Sequence, residues 1–114
     1  MKDLKEVLTE KESNAVEKLK QGLEKLYGDN LVRLILYGSK ARGDAEDGSD
    51  IDILVVLKEM GLNYDEIKKI NNVAAPICLK SDLVISAIPM NKKWVDADYR
   101  TIFIYNVMNE GIIL

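Results

Sequence analysis

An α/β fold, with helices packed on a small mixed sheet, is predicted by three observations. Two long stretches carry apolar residues at helical spacing. Three short runs rich in Ile, Leu and Val are bounded by turn formers. The two kinds alternate along the chain as α-β-turn-β-α-β-α, which calls for an α/β sandwich. The 114 residues fit one domain spanning 1–114. A chain of this size buries about two-thirds of its unfolded surface, enough for one core.

The elements follow in order. Over 9–27, Val16, Leu19, Leu23, Leu26 and Tyr27 form one helical stripe, and Thr9 with Glu12 has capping-box spacing. Gly28-Asp29-Asn30 stops that helix. Residues 31–37, Leu-Val-Arg-Leu-Ile-Leu-Tyr, suit a strand, and Gly38-Ser39 follows at once. Glu46-Asp47-Gly48-Ser49 is a turn cluster. Residues 50–57 form a second strand, polar at its start and continuously apolar at its end.

Residues 63–78 predict a second helix, capped by Asn63 and Glu66, with Ile67, Ile70, Val73, Ala74 and Ile77 as its stripe. Pro76 should kink it or end it early. Residues 82–88 predict a third strand, closed by Pro89. Residues 91–110 read as helical, with a short turn around Trp94 and a helix from Asp98. Gly111 ends it, and Gly-Ile-Ile-Leu suits a brief edge strand. Trp94, Tyr99, Phe103 and Tyr105 are expected to pack the last helix on the sheet. Cys78 reads as a small core residue, and the Lys/Glu mixture of residues 2–25 as a solvated helix face.

Composition narrows the chemistry. With no histidine, Ser-His-Asp and Cys-His systems and His-ligated metals are excluded. One cysteine excludes an internal disulfide and any multi-Cys metal site. Carboxylates, Lys, Arg, hydroxyls and a hard cation such as Mg²⁺ remain. A net charge of −3 argues against direct nucleic-acid binding and against a basic membrane-surface face. No apolar run reaches the ~18 residues of a membrane span, and the N-terminus is not a signal peptide. The cytoplasm is the expected compartment.

Three carboxylates stand out by position. Asp50 and Asp52 are two apart on a strand and leave the same face. Asp82 opens the third expected strand. The long helix between the second and third strands signals a parallel crossover, so both strand starts share one end of the sheet. The short link between the first two strands makes them antiparallel, which brings Gly38-Ser39 to that same end. Clustered carboxylates repel one another, and a divalent cation reverses that cost. Gly38 admits a phosphate to the backbone, Ser39 adds a hydroxyl and an amide, and Lys40 and Arg42 add positive charge. Metal plus phosphate cradle points to nucleotidyl or phosphoryl transfer. Taken singly, an Asp-x-Asp at a strand start, a Gly-Ser turn and a strand-end Asp are each more often solvent-facing or turn residues. No Gly-Lys-Ser/Thr follows, so the turn is not a Walker A loop. Arg42-Gly43-Asp44 spells an adhesion tripeptide that no secretion signal supports.

Gly38-Ser39, ten intervening residues and Asp50-Ile51-Asp52 resemble the nucleotidyltransferase signature of the DNA polymerase β superfamily. The string GSKARGDAEDGSDIDILVV is similar to the minimal, MNT-type nucleotidyltransferases, and the likeness covers residues 31–88. The resemblance implies the polymerase β-like fold and Asp50 and Asp52 as ligands of Mg²⁺, with two ions expected. It implies Asp82 as third acid, binding metal and activating the attacking hydroxyl, and Gly38 and Ser39 as holders of the β and γ phosphates of ATP. Arg42 either reaches phosphate or pairs with Asp44 to shape the loop; both roles stay open. The resemblance further implies an antitoxin that transfers AMP to a tyrosine of a partner HEPN ribonuclease toxin, in a homo- or hetero-oligomer. The alternatives are an antitoxin that neutralises its partner by occlusion alone, and nucleotidyl transfer to a small molecule such as an aminoglycoside.

Overall fold

The computed structural model describes residues 4–46, 48–97 and 101–114. Helix α1 (Leu4–Val7), which sequence periodicity does not reveal, precedes α2 (Glu10–Tyr27). Thr9 caps α2: its hydroxyl accepts from Glu12 N–H, and Glu12 Oε1 accepts from Thr9 N–H at 2.9 Å, a complete capping box. Val16, Leu19 and Leu23 are buried as expected, while Leu26 turns outward. A 3-10 turn over Gly28–Asn30 leads into β1 (Leu31–Tyr37), as the Gly-Asp-Asn stop predicts.

Helix α3 (Gly38–Arg42) begins where β1 ends. Strand β2 (Ile51–Leu57) follows, with Asp50 just ahead of it. Helix α4 (Asn63–Ser81) runs three residues past the expected end and keeps Pro76 inside it. Pro76 and Asn72 lie on the exposed side, so the carbonyl that Pro76 leaves without a donor faces solvent. Ile70 and Ala74 hold the inner side against the core. Leu62, not Asn63, is the N-cap residue, and no side chain caps there. Glu66 instead reaches back to accept from Gly61 N–H at 3.3 Å.

Strand β3 is Ile85–Asn91, not 82–88. Helix α4 continues through Ser81 and closes on Asp82, whose backbone is left-handed (φ 54°, ψ 47°), so the strand starts three residues late. Pro89, expected to end the strand, lies within it. The sheet order β3-β2-β1-β4 explains why: β3 is an edge strand. Ile51 N–H donates to Val84 O at 2.9 Å. By alternation, the odd-numbered residues of β3, Pro89 included, turn their backbone groups to the open side.

Helices α5 (Lys92–Val95) and α6 (Ile102–Glu110) precede β4 (Ile112–Ile113), the brief edge strand that the last residues predict. Asp98, expected to start the last helix, and Tyr99 lie outside the described residues. Thr101 caps α6, its hydroxyl accepting from Ile104 N–H. Strand β2 pairs antiparallel with β1 and parallel with β3, as the link lengths predict; β4 pairs antiparallel with β1. The result is the expected mixed sheet with helices packed on it.

Alternation along the strands sorts the core into two layers. Leu34, Leu36, Ile51, Ile53, Val55 and Leu57 face α2 and α4. Ile35, Leu54 and Val56 face the other way, against Val95 of α5 and Val107 of α6. The aromatic residues pack differently from the expectation. Ile104 and Val107 are the buried residues of α6, while Trp94 and Tyr105 are exposed. Phe103 alone among the described expected aromatics makes a ring contact with the sheet, edge-on to Tyr37 at 5.4 Å. Cys78 is half-buried against the core. No described helix is long and apolar enough to cross a membrane.

Candidate active site

Asp52 lies on β2 between Tyr37 of β1 and Ser86 of β3, its Cα partners on the two sides. Its parity is that of Leu54 and Val56, so it sits on the sheet face that α5 and α6 cover, at the open end of that layer. Asp50 has the same parity and is exposed. The Asp52 carboxyl is raised above its ordinary value, first by burial and then by the charge of Asp50, with Arg42 opposing. The Tyr37 hydroxyl is likewise raised, by burial and by Asp52.

Gly38 completes the contact. Its φ is +77°, and a Cβ there would stand 2.7 Å from Asp52 Oδ2. Only a residue without a side chain lets β1 turn into α3 this close to the carboxylate. Ser39 begins the turn, its carbonyl accepting from Gly43 and Asp44 N–H at 3.0 and 3.1 Å. The arrangement fits a hard cation: two carboxylates, one of them disfavoured as a bare anion, beside a backbone that a phosphate can approach. Mg²⁺ characteristically takes one or two carboxylates plus substrate phosphates.

The other expected site residues are placed differently. Asp82 does not open β3. It is exposed at the end of α4, and the first paired residue of β3 is Ile85, opposite Ile51. Among the described residues, no three acidic, His or Cys side chains converge as a metal site. Lys40 does not add charge to the site. It is buried and pairs with Glu12 at 2.6 Å, tying α3 to α2. Glu12 is thereby also an exception to the solvated Lys/Glu face of residues 2–25. Arg42 pairs with Asp44 at 3.2 Å and with Glu110 of α6 at 2.7 Å.

Sequence reading passed over three neighbours of the site. Ser86 was legible as the lone polar residue of an apolar run. Tyr37 was legible only as a strand residue, and Glu110 had no signal before α6 was placed against α3.

Comparison with known proteins identifies the family. A family profile described as a nucleotidyltransferase domain matches residues 16–109. Two Methanocaldococcus jannaschii proteins named for protein adenylyltransferase activity are similar. One is 38% identical over 97 residues, covering 85% of this chain and 92% of its own. The other is 31% identical over 103 residues, covering 90% and 97%. Among solved structures, spectinomycin adenyltransferase AAD(9) from Enterococcus, crystallised with ATP and spectinomycin, is similar with a TM-score of 0.56 and 26% identity. That match covers 74% of this chain and 36% of the AAD(9) chain, so this chain spans about a third of that protein. The chain therefore belongs to the nucleotidyltransferase domain family, with the polymerase β-like fold.

Proposed function

We propose that the chain transfers AMP from ATP, with Mg²⁺, to a hydroxyl acceptor, a tyrosine of a HEPN-type partner protein. The observation that carries this reading is the Gly38–Asp52 apposition, which joins a phosphate-accessible backbone to a carboxylate pair. Similarity to two proteins named for protein adenylyltransferase activity supports AMP and a protein acceptor. In this reading Asp50 and Asp52 hold Mg²⁺, and Gly38 and Ser39 seat the β and γ phosphates. An Mg²⁺ ion held there would supply Lewis-acid stabilisation of the charge on the triphosphate. The acceptor hydroxyl attacks the α phosphorus, its proton passes to a carboxylate, and pyrophosphate leaves. Asp82, which the fold places exposed at the end of α4, is the proposed third carboxylate. Arg42, within electrostatic reach of Asp52, is proposed to meet phosphate once released from Glu110.

The test is transfer of label from α-labelled ATP to the HEPN partner with Mg²⁺ present. Labelled partner with the wild type, and none with Asp52→Asn at unchanged fold, is expected. Label persisting in that variant rejects the assignment. Spectinomycin in a parallel reaction tests the small-molecule reading that likeness to AAD(9) raises. Growth protection by an Asp50→Asn/Asp52→Asn chain would favour neutralisation by occlusion.

A further inference from the structure

Next to the carboxylate pair, on the α6 side of the sheet, lies a slot of about 210 Å³ whose lining includes Tyr37, Gly38, Arg42, Phe103, Asn106 and Glu110. It shares Gly38 with the phosphate cradle, so a molecule seated on Gly38 by its phosphates can extend into it. Phe103, Asn106 and Glu110 follow at three- and four-residue steps on α6 and so share one face. Tyr37 meets Phe103 edge-on, with ring planes at 87°, and Phe103 as a residue stays 39% exposed where it lines the slot. An exposed aromatic face is a platform on which a nucleobase stacks. Glu110 is engaged by Arg42. The Asn106 side chain takes part in no hydrogen bond among the described residues, so its carboxamide offers both a donor and an acceptor to the slot. That pair matches the N7 acceptor and N6 amino donor of adenine, whereas guanine presents two acceptors on the same edge.

We propose that this slot holds the adenine base of the donor nucleotide, stacked on Phe103 and read at its edge by Asn106. The inference rests on the reading that Gly38 and Asp52 seat a nucleoside triphosphate, and it names the base selected there. Phe103 and Asn106 lie away from the reacting phosphorus and are specificity residues.

Calorimetric titration of the full chain with ATP, GTP and inorganic tripolyphosphate, each with Mg²⁺, tests it. The wild type is expected to bind ATP about tenfold more tightly than tripolyphosphate, the size of one base-stacking contact, and more tightly than GTP. Asn106→Ala should bring ATP to the level of GTP. Phe103→Leu should bring ATP toward tripolyphosphate. Tripolyphosphate binding should be unchanged in both variants, which reports an intact fold and cradle. ATP no tighter than tripolyphosphate, or an ATP preference that survives Asn106→Ala, overturns the base slot alone. Failure of the wild type to bind even tripolyphosphate overturns the phosphate seat, and the slot with it.

Discussion

Gly38 and Asp52 leave no room for a methyl group between them. The missing side chain of one is the space occupied by the carboxylate of the other. Gly38→Ala must either displace Asp52 or shift the turn, and it also places an L-residue in left-handed backbone, a cost of about 1–2 kcal/mol. The expected result is a lower Tm and loss of nucleotidyl transfer, measured by thermal unfolding and label transfer. Full activity at unchanged Tm would show that the apposition is not needed.

Lys40 and Glu12 form the buried ion pair of the described fold, and each is the other's reason for being inside. Lys40→Met leaves the Glu12 carboxylate buried without its cation and is expected to cost about 3–5 kcal/mol. Adding Glu12→Gln, which retains a capping acceptor, should recover most of that loss in a denaturant double-mutant cycle. Burial alone would raise the Glu12 carboxyl, but bonds from Lys40 and Thr9 outweigh it and hold it below its ordinary 4.5. The stability it contributes is therefore present above pH 4.5 and lost as pH falls through the lowered value. Glu12→Gln should flatten that acid limb.

Tyr27 donates to Glu66 Oε1 at 3.2 Å. Burial, then the Glu66 charge and this bond, push the phenol up to about 12 from 10.0. Because the folded value is the higher one, stability from this pair holds below pH 10 and is lost between pH 10 and about 12. Tyr27→Phe should be less stable at pH 8 by about 1.5–3 kcal/mol, the worth of a hydrogen bond to a charged group. Its alkaline stability curve should lack that extra fall. Parallel curves for the two proteins would refute the pairing.

Arg42 clasps Glu110, and both are exposed enough for the bond to exchange with solvent. Glu110→Gln frees Arg42 for phosphate and removes a negative charge near it. A two- to fivefold lower KM for ATP, roughly what one exposed charge pair is worth, is expected with little change in Tm. An unchanged or higher KM would mean that Arg42 serves only the loop.

Much of this architecture is legible in the sequence. The stripe of Val16, Leu19 and Leu23, the Thr9–Glu12 cap and the apolar runs around Leu34 and Val55 obey local rules, and local rules dominate there. The Gly38-Ser39 and Asp50–Asp52 spacing was legible because chain reversal between two antiparallel strands fixes where each end falls. The end of α4 was not. Pro76 is a breaker in isolation, yet on an exposed face its lost bond is returned to water while Ile70 and Ala74 keep the helix docked. That overrun moved Asp82 from a strand start to a helix cap. The partner of Lys40 was hidden for another reason. A charge facing substrate and a charge facing Glu12 have the same letter, and only the placement of α3 against α2 separates them.

Pro89 has a consequence for assembly. Its nitrogen carries no hydrogen and faces the open side of the outermost strand, so that border cannot offer an unbroken ladder of donors to another chain. At the opposite border β4 is two residues long. Both borders of the sheet are thus poor templates for strand addition. Contacts through side chains on the helices and loops are thereby favoured over backbone pairing at the borders of the sheet.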